Sequence, residues 1–199
     1  VNSFEKVANV KKVAVTFIVQ TDKAVYKTPY VVLATGYYDH PNYMNIPGED
    51  LPKVYHYFKE AHEFFDTDVL VVGGKNSAID AALELNKAGA RVTVAYRGAD
   101  YSPSIKPWVL PEFLGLVREE EITMHFGAEL HEIREHEAVL TIDGQQQIIE
   151  NDTVFAMTGY HPDHNFIQAM GVHIDAETGR PEFSAETMET NIEHLFIAG

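Results

Sequence analysis

The sequence predicts an α/β fold, a parallel sheet of Rossmann type joined to an antiparallel β-meander. Three observations carry that prediction. Residues 69–97 read as a strand, a glycine turn, a helix and a second strand. Residues 129–149 alternate around Asp143-Gly144, the pattern of antiparallel strands and a tight turn. Two apolar runs, ending Thr35-Gly36-Tyr37 and Thr158-Gly159-Tyr160, echo each other on either side of the first pattern. Each is followed by a proline, Pro41 or Pro162. They look like the two places where the chain leaves a neighbouring domain and re-enters it.

The elements follow in order. Residues 12–19 and 27–33 carry strand signals around the turn Thr21-Asp22-Lys23. Asp39-His40-Pro41-Asn42 and Ile46-Pro47-Gly48-Glu49-Asp50 are loops rich in breakers. Residues 55–65 look like a short helix. After the 69–97 unit, a polar loop with Pro103 and Pro107 leads into a helix near 111–120. Residues 122–126 read as a third parallel strand. A buried strand ends at Thr158-Gly159, a short helix covers 166–170, and an apolar strand runs into Gly199.

The chemistry concentrates in Gly73-Gly74-Lys75-Asn76-Ser77-Ala78. A glycine after a buried strand permits the tight turn, and bare backbone lets a pyrophosphate approach. The helix that follows offers free N–H groups and the positive end of its dipole. Ala78 stands where the dinucleotide fingerprint takes Gly or Ala for close packing of helix on strand. The middle glycine of the fingerprint is replaced by Lys75, which either contacts a phosphate or points to solvent. In an NAD site an acidic residue about 20 positions on accepts the ribose hydroxyls. Here the second strand ends Tyr96-Arg97-Gly98, with no acid before Asp100. An arginine attracts a 2′-phosphate with a forked hydrogen bond where a carboxylate repels it. The residues therefore point to NADP(H), with Arg97 on the 2′-phosphate and Lys106 as a second candidate. The plain alternative for Arg97 is a solvated charge at a strand end.

Composition bounds the rest. The chain has 199 residues, 45% hydrophobic, with 15 Lys and Arg against 30 Asp and Glu, for a net charge of −15. That balance repels phosphate backbones and anionic membranes, so no nucleic acid or membrane partner is expected. There is no cysteine, hence neither a disulfide nor a thiol nucleophile in this chain. No apolar run approaches the roughly 18 residues of a membrane span, and no signal peptide opens the chain, which suggests a cytoplasmic setting. Among ten histidines, His161 with His164 and His131 with His136 have loose ligand-like spacing. Without cysteine or four convergent ligands they read as surface or core residues, and no metal is expected. His56 offers a proton relay or, more simply, packing. Trp108, Leu110 and Phe113 have the spacing of core residues. Glu119-Glu120-Glu121 reads as a solvated helix end.

Taken together, Ala34-Thr35-Gly36, the fingerprint, Thr158-Gly159-Tyr160-His161-Pro162 and Leu195–Gly199 resemble the thioredoxin-reductase-like flavoproteins in that order. These have one dinucleotide domain for FAD and one for NADPH inserted within it. Thr35-Gly36-Tyr37-Tyr38-Asp39, Ile46-Pro47-Gly48-Glu49-Asp50, His56-Tyr57-Phe58-Lys59-Glu60-Ala61 and Gly74-Lys75-Asn76-Ser77-Ala78 are similar, more narrowly, to the bacillithiol disulfide reductase subgroup, whose motif carries the lysine.

The resemblance implies FAD-domain segments at 1–46 and 156–199 around an NADPH domain at 47–155. It implies that Thr35, Gly36 and Gly199 lie near FAD, and Thr158 and Gly159 near the meeting of flavin and nicotinamide. It implies an NADPH-dependent FAD enzyme that reduces a small-molecule disulfide and is a homo-oligomer when intact. Val1-Asn2-Ser3-Phe4 lacks a Met, and the family's first glycine-rich FAD turn is missing, so the chain is expected to be a fragment, inactive alone. The Cys-x-x-Cys of thioredoxin reductases is also missing, and 56–65, its counterpart, holds no thiol. Competing readings are a flavin-containing monooxygenase, a ferredoxin or flavodoxin reductase of the same fold, and a nucleotide sensor without chemistry. Lys75 argues against the first, and the acidic surface does not favour docking to acidic ferredoxins.

Overall fold

Residues 2–198 are described in the computed structural model. Two compact units result: Val1–Pro41 with Tyr160–Gly199, and Asn42–Gly159. The chain therefore divides at 41/42 and 159/160, a few residues outside the expected 46/47 and 155/156.

The outer unit begins with an antiparallel meander of three strands, β1 (Val7–Val13), β2 (Thr16–Thr21) and β3 (Val25–Thr28). The sequence suggested continuous strands at 12–19 and 27–33, and the structure breaks both. Ala14 turns the first hairpin with φ +52°. At the second break Pro29 lacks the N–H that a continuing ladder needs. The chain resumes as β4 (Val31–Leu33), which leaves the meander.

The inner unit starts at the two-residue strand β5 (Val54–Tyr55). The helix expected over 55–65 does not form; only a 3₁₀ turn, His62–Phe64, is helical. Aromatic packing outweighs the apparent helical spacing. Tyr55, Phe58 and Phe64 gather around Phe155 with ring centroids 5.1–5.5 Å from it. The dinucleotide-type unit follows as β6 (Asp68–Val72), α1 (Asn76–Lys87) and β7 (Arg91–Ala95). Next come α2 (Leu110–Arg118) and β8 (Ile122–His125), then the meander β9 (Glu129–Ile133), β10 (Glu137–Ile142) and β11 (Gln145–Glu150). The unit closes with β12 (Thr153–Ala156). The outer unit then resumes with α3 (His164–Ala169) and β13 (Leu195–Ile197), which pairs parallel to β4.

Strands β5-β12-β6-β7-β8 form a five-stranded parallel sheet in that order. Its central strands β12 and β6 are buried on both faces, which explains their continuous apolar runs. Val69, Val71, Val92, Val94 and Phe155 pack on one face with Ile79, Ala82 and Leu85 of α1 and Phe113 of α2. Leu70 and Val154 point the other way, onto Leu130, Ala138, Leu140 and Ile142 of the β9–β11 meander. The period of two along β6 thus sends alternate residues into a helix layer and a meander layer. The parallel sheet and the meander stand as the sequence predicts.

The outer unit has its own core, in which Val10, Phe17, Leu33, Ile167, Val172 and Leu195 are buried together. Trp108 is a correction. It is 76% exposed, whereas Phe113 is fully buried. Helical spacing positions Phe113, but α2 begins only at Leu110, after Pro107, so Trp108 lies outside the periodicity that would have buried it.

Candidate functional site

Ligands in open parallel sheets sit beyond the carboxyl ends of the strands, where the strand order reverses. Here the order reverses between β6, which leads on to β7 and β8, and β12 on its other side. The turn Gly73–Lys75 lies at that point. The Gly73 N–H donates to the Ala95 carbonyl (2.9 Å), tying the turn to the end of β7. Gly73 adopts φ +141°, and a Cβ there would lie 2.5 Å from the Met157 carbonyl oxygen and 3.2 Å from the Ala78 Cβ. Glycine is required at 73 by the fold itself, and the small Ala78 by the same close approach.

Gly74 is bare for a different reason. A Cβ on it would collide with the ring of Tyr96, and so would a Cβ on Gly98. The half-buried Tyr96 ring is thus held between two glycines, against the turn.

Lys75 is the N-cap of α1, in extended conformation, and its side chain makes no capping hydrogen bond. Its carbonyl accepts from Ala78 and Ile79 N–H (both 3.1 Å). The first N–H groups of the helix, on Asn76 and Ser77, have no intrahelical acceptor. No acidic residue occupies the first turn of α1. The N-terminus thus carries the positive dipole end and a lysine without a compensating carboxylate, an arrangement an anion would offset.

Arg97 lies two residues past β7, is exposed, and has no ion-pair partner among the described residues. Lys106 is placed differently. Its Nζ lies 2.8 Å from Asp80 Oδ2, and its backbone N–H donates to Asn76 Oδ1 (2.9 Å). The Asn76 amide also donates to the Ser104 carbonyl (2.8 Å). The loop between β7 and α2 is therefore fastened to the start of α1. It is further anchored by Ile105, buried in the helix-side core, and by Tyr101, whose ring meets Phe126 edge-on at 4.8 Å. Burial pushes the Tyr101 phenol above its ordinary pKa, and Asp100 adds to the effect. Asp80, Ser104 and Met157 are parts of the site region that sequence reasoning missed. No local spacing links Asn76 to a loop about thirty residues later.

The remaining candidates are separate. Thr158 and Gly159 follow β12, where the Thr158 hydroxyl donates to the Asn42 carbonyl (2.6 Å) and the Asn42 N–H to the Gly159 carbonyl (2.9 Å). Thr35 and Gly36 follow β4 in the outer unit. Both are exposed, and Gly36 has φ +67° with open space about it. Gly199 lies outside the described residues.

His161 and His164 stack at 5.2 Å, and His131 bonds Thr141 Oγ1 (2.8 Å). Among the described residues no group of three or more His, Asp or Glu side chains is arranged to hold a metal ion. His56 sits beside Glu49, at 3.9 Å, and edge-on to Tyr43. Glu49 itself accepts from the N–H groups of Met44 (2.8 Å) and Asn45 (2.7 Å), so it fastens the 44–50 loop. No described helix is long and apolar enough to cross a membrane.

The architecture is that of the two-domain flavin and nicotinamide folds, and the family follows. The chain belongs to the pyridine nucleotide-disulphide oxidoreductase family, whose profile matches residues 1–199. Among individual proteins, it is 64% identical over 186 residues to bacilliredoxin reductase Bdr of Bacillus subtilis, which covers 92% of this chain and 57% of that protein. It superposes on bacillithiol disulfide reductase Bdr of Bacillus cereus with a TM-score of 0.94 at 61% identity, covering all of this chain and 63% of the other. The Staphylococcus aureus protein of the same name gives 0.93 at 53% identity, with 62% of its chain covered. Thioredoxin reductase of Lactococcus lactis, at 22% identity and a TM-score of 0.84, shares the fold. The chain thus spans about three fifths of the length of these relatives.

Proposed function

We propose that this chain is the NADPH-binding part, with flanking FAD-domain segments, of a flavin-dependent reductase of a low-molecular-weight disulfide. The relatives are reductases of bacilliredoxin or of bacillithiol disulfide by name, and a disulfide of that thiol class is the proposed substrate. Residues 47–155 are the NADPH domain in this reading, and 1–46 and 156–199 belong with FAD, near Thr35, Gly36 and Gly199. One observation carries the nucleotide assignment: Arg97 stands exposed and unpaired at the end of β7, on the strand next to the acid-free N-terminus of α1. Its fixed fork suits a phosphate dianion.

When bound, NADPH supplies a hydride and FAD carries the electrons on to the disulfide. The chain's own residues bind and orient. Gly73 and Gly74 seat the turn against Met157, Ala78 and the Tyr96 ring. The Asn76 and Ser77 N–H groups at the helix end would hold the pyrophosphate, with Lys75 supplying a point charge. Arg97 would receive the 2′-phosphate, with Lys106 as the second candidate. The stretch 56–65 holds no cysteine, so no thiol of this segment enters electron transfer.

Calorimetric titration with NADPH and NADH, for wild type and Arg97→Ala, tests the assignment. The expected result is NADPH tighter by at least about tenfold, the scale of one forked charge-assisted hydrogen bond, with the preference lost in the variant. Equal affinity of wild type for the two nucleotides, or failure to bind either, overturns it.

A further inference from the structure

The Asn76 side chain spends both ends of its amide on the protein. Its oxygen accepts the Lys106 N–H (2.9 Å) and its nitrogen donates to the Ser104 carbonyl (2.8 Å). A forked contact of this kind fixes the position of a loop, because two hydrogen bonds from one planar group define both distance and orientation. The rest of the loop is built to be held there. The Ile105 N–H donates to the Ser102 carbonyl (3.1 Å), Ser102 and Ser104 share a hydroxyl hydrogen bond (2.8 Å), and Ile105 is 4% exposed. On the far side, the Val109 and Leu110 N–H groups donate to the Lys106 carbonyl (3.0 and 3.2 Å), joining the loop to α2.

Two cations sit on this loop, Arg97 where it leaves β7 and Lys106 where Asn76 holds it. Lys106 is also restrained by Asp80 at 2.8 Å, but both side chains of that pair are about two fifths exposed. An exposed pair of this kind is weak, so a phosphate dianion competes for the lysine.

We propose that Asn76 is a positioning residue: its amide clips the Ser102–Lys106 segment to the first turn of α1 and thereby sets where Lys106 presents its charge to the 2′-phosphate, while the backbone on either side of Arg97 is fixed separately by hydrogen bonds of Tyr96 and Gly98 with residues 125–128. The fingerprint asparagine then governs discrimination between nucleotides without touching the phosphate that distinguishes them. This rests on the nucleotide reading above, and its test separates the two.

The test uses Asn76→Ala in the full chain, with two readouts. The first needs no nucleotide: hydrogen–deuterium exchange of the amides between 104 and 110. Loss of the fork is expected to speed exchange there by about tenfold, with the β9–β11 meander unchanged. The second is calorimetry with NADPH and NADH. The variant is expected to lose several-fold in NADPH affinity and much less in NADH affinity, so that the preference narrows. Asn76→Asp keeps the acceptor for the Lys106 N–H but sets a carboxylate against the Ser104 carbonyl, and falls between wild type and Ala in exchange.

Unchanged exchange in Asn76→Ala overturns the proposal. So does an equal loss for both nucleotides, because the pyrophosphate common to them would then be what Asn76 contacts. If wild type binds neither nucleotide while exchange accelerates as expected, the clip stands and the NADPH assignment falls.

Discussion

Gly73→Ala is the substitution for which the structure gives the clearest magnitude. Two costs add. A residue with a Cβ at φ +141° occupies a sparsely populated backbone region, at about 1–3 kcal/mol. The new Cβ also lands 2.5 Å from the Met157 carbonyl oxygen and 3.2 Å from the Ala78 Cβ. Neither neighbour is the end of a flexible side chain. Met157 extends β12, and Ala78 lies in α1 behind the turn, so relief requires moving a strand end or a helix. Forced overpacking of this sort costs about 1–3 kcal/mol. The sum is about 2–6 kcal/mol. With m near 2 kcal/mol/M in urea, the unfolding midpoint of the inner unit falls by about 1–3 M at unchanged m.

Gly144→Ala is the control. Gly144 also has positive φ, +76°, but a Cβ there meets nothing within 4 Å, so only the backbone cost of about 1–2 kcal/mol remains. The difference between the two variants reports the close contacts at Gly73, with Met157 and Ala78, together with its less populated backbone conformation. If Gly73→Ala is no less stable than Gly144→Ala, the turn is not seated on β12 as described, and the account of why position 73 needs glycine is refuted.

Two further outcomes follow from the packing and the charges. Phe155→Ala removes a ring 1% exposed and shared by Tyr55, Phe58 and Phe64, and is expected to cost about 3–5 kcal/mol in urea unfolding. Arg91 bonds both carboxylate oxygens of Asp68, at 2.8 and 3.0 Å, and this holds the Asp68 carboxyl below its ordinary pKa. A depressed folded pKa stabilises above the unfolded value, near 3.9, and that stability is lost as pH falls through the folded pKa. The pair is half exposed and Arg91 also bonds Asp66, so Arg91→Ala is expected to cost at most about 1 kcal/mol at pH 7, with the gap to wild type narrowing as the pH falls below 4; a gap that widens as the pH falls contradicts the pairing.

The parts of this fold legible in the sequence are those where one short-range pattern decides. Val69, Val71 and Leu70 form an unbroken apolar run because the strand is buried on both faces, and Gly73 follows because the turn allows no Cβ. Asp143 and Gly144 turn the β10–β11 hairpin with φ +51° and +76°, as that dipeptide implies. The errors have long-range causes. Residues 55–65 failed as a helix because Tyr55, Phe58 and Phe64 answer to Phe155, about ninety residues later. Trp108 was misplaced because its apolar spacing to Phe113 spans a helix start set by Pro107. At the site, Gly73 to Ala78 were legible as a turn, but the division of labour within it was not. Gly74 accommodates Tyr96, and Asn76 grips a loop; both contacts cross between chain segments that no spacing rule connects.

The echo of Thr35-Gly36-Tyr37 in Thr158-Gly159-Tyr160 has a physical counterpart in how the chain crosses from one unit to the other and back. Within the inner unit, Asn42 and Thr158-Gly159 are joined by three hydrogen bonds, so the ends of a segment over a hundred residues long are held side by side. Within the outer unit, Pro41 and Tyr160 form a β-bridge and the His161 N–H donates to the His40 carbonyl (2.9 Å). This bears on β4 and β13, which pair in register from Val31–Leu195 to Leu33–Ile197 although the whole inner unit separates them in sequence. Closing a flexible loop of that length costs entropy that grows with the logarithm of its length. A folded insert with adjacent ends removes most of that cost, because the two crossing strands reach the outer unit already together. The Thr158 hydroxyl bond to the Asn42 carbonyl is part of this closure of the inner unit's ends. A Thr at 158 is explained by this backbone bond alone, before any cofactor is invoked.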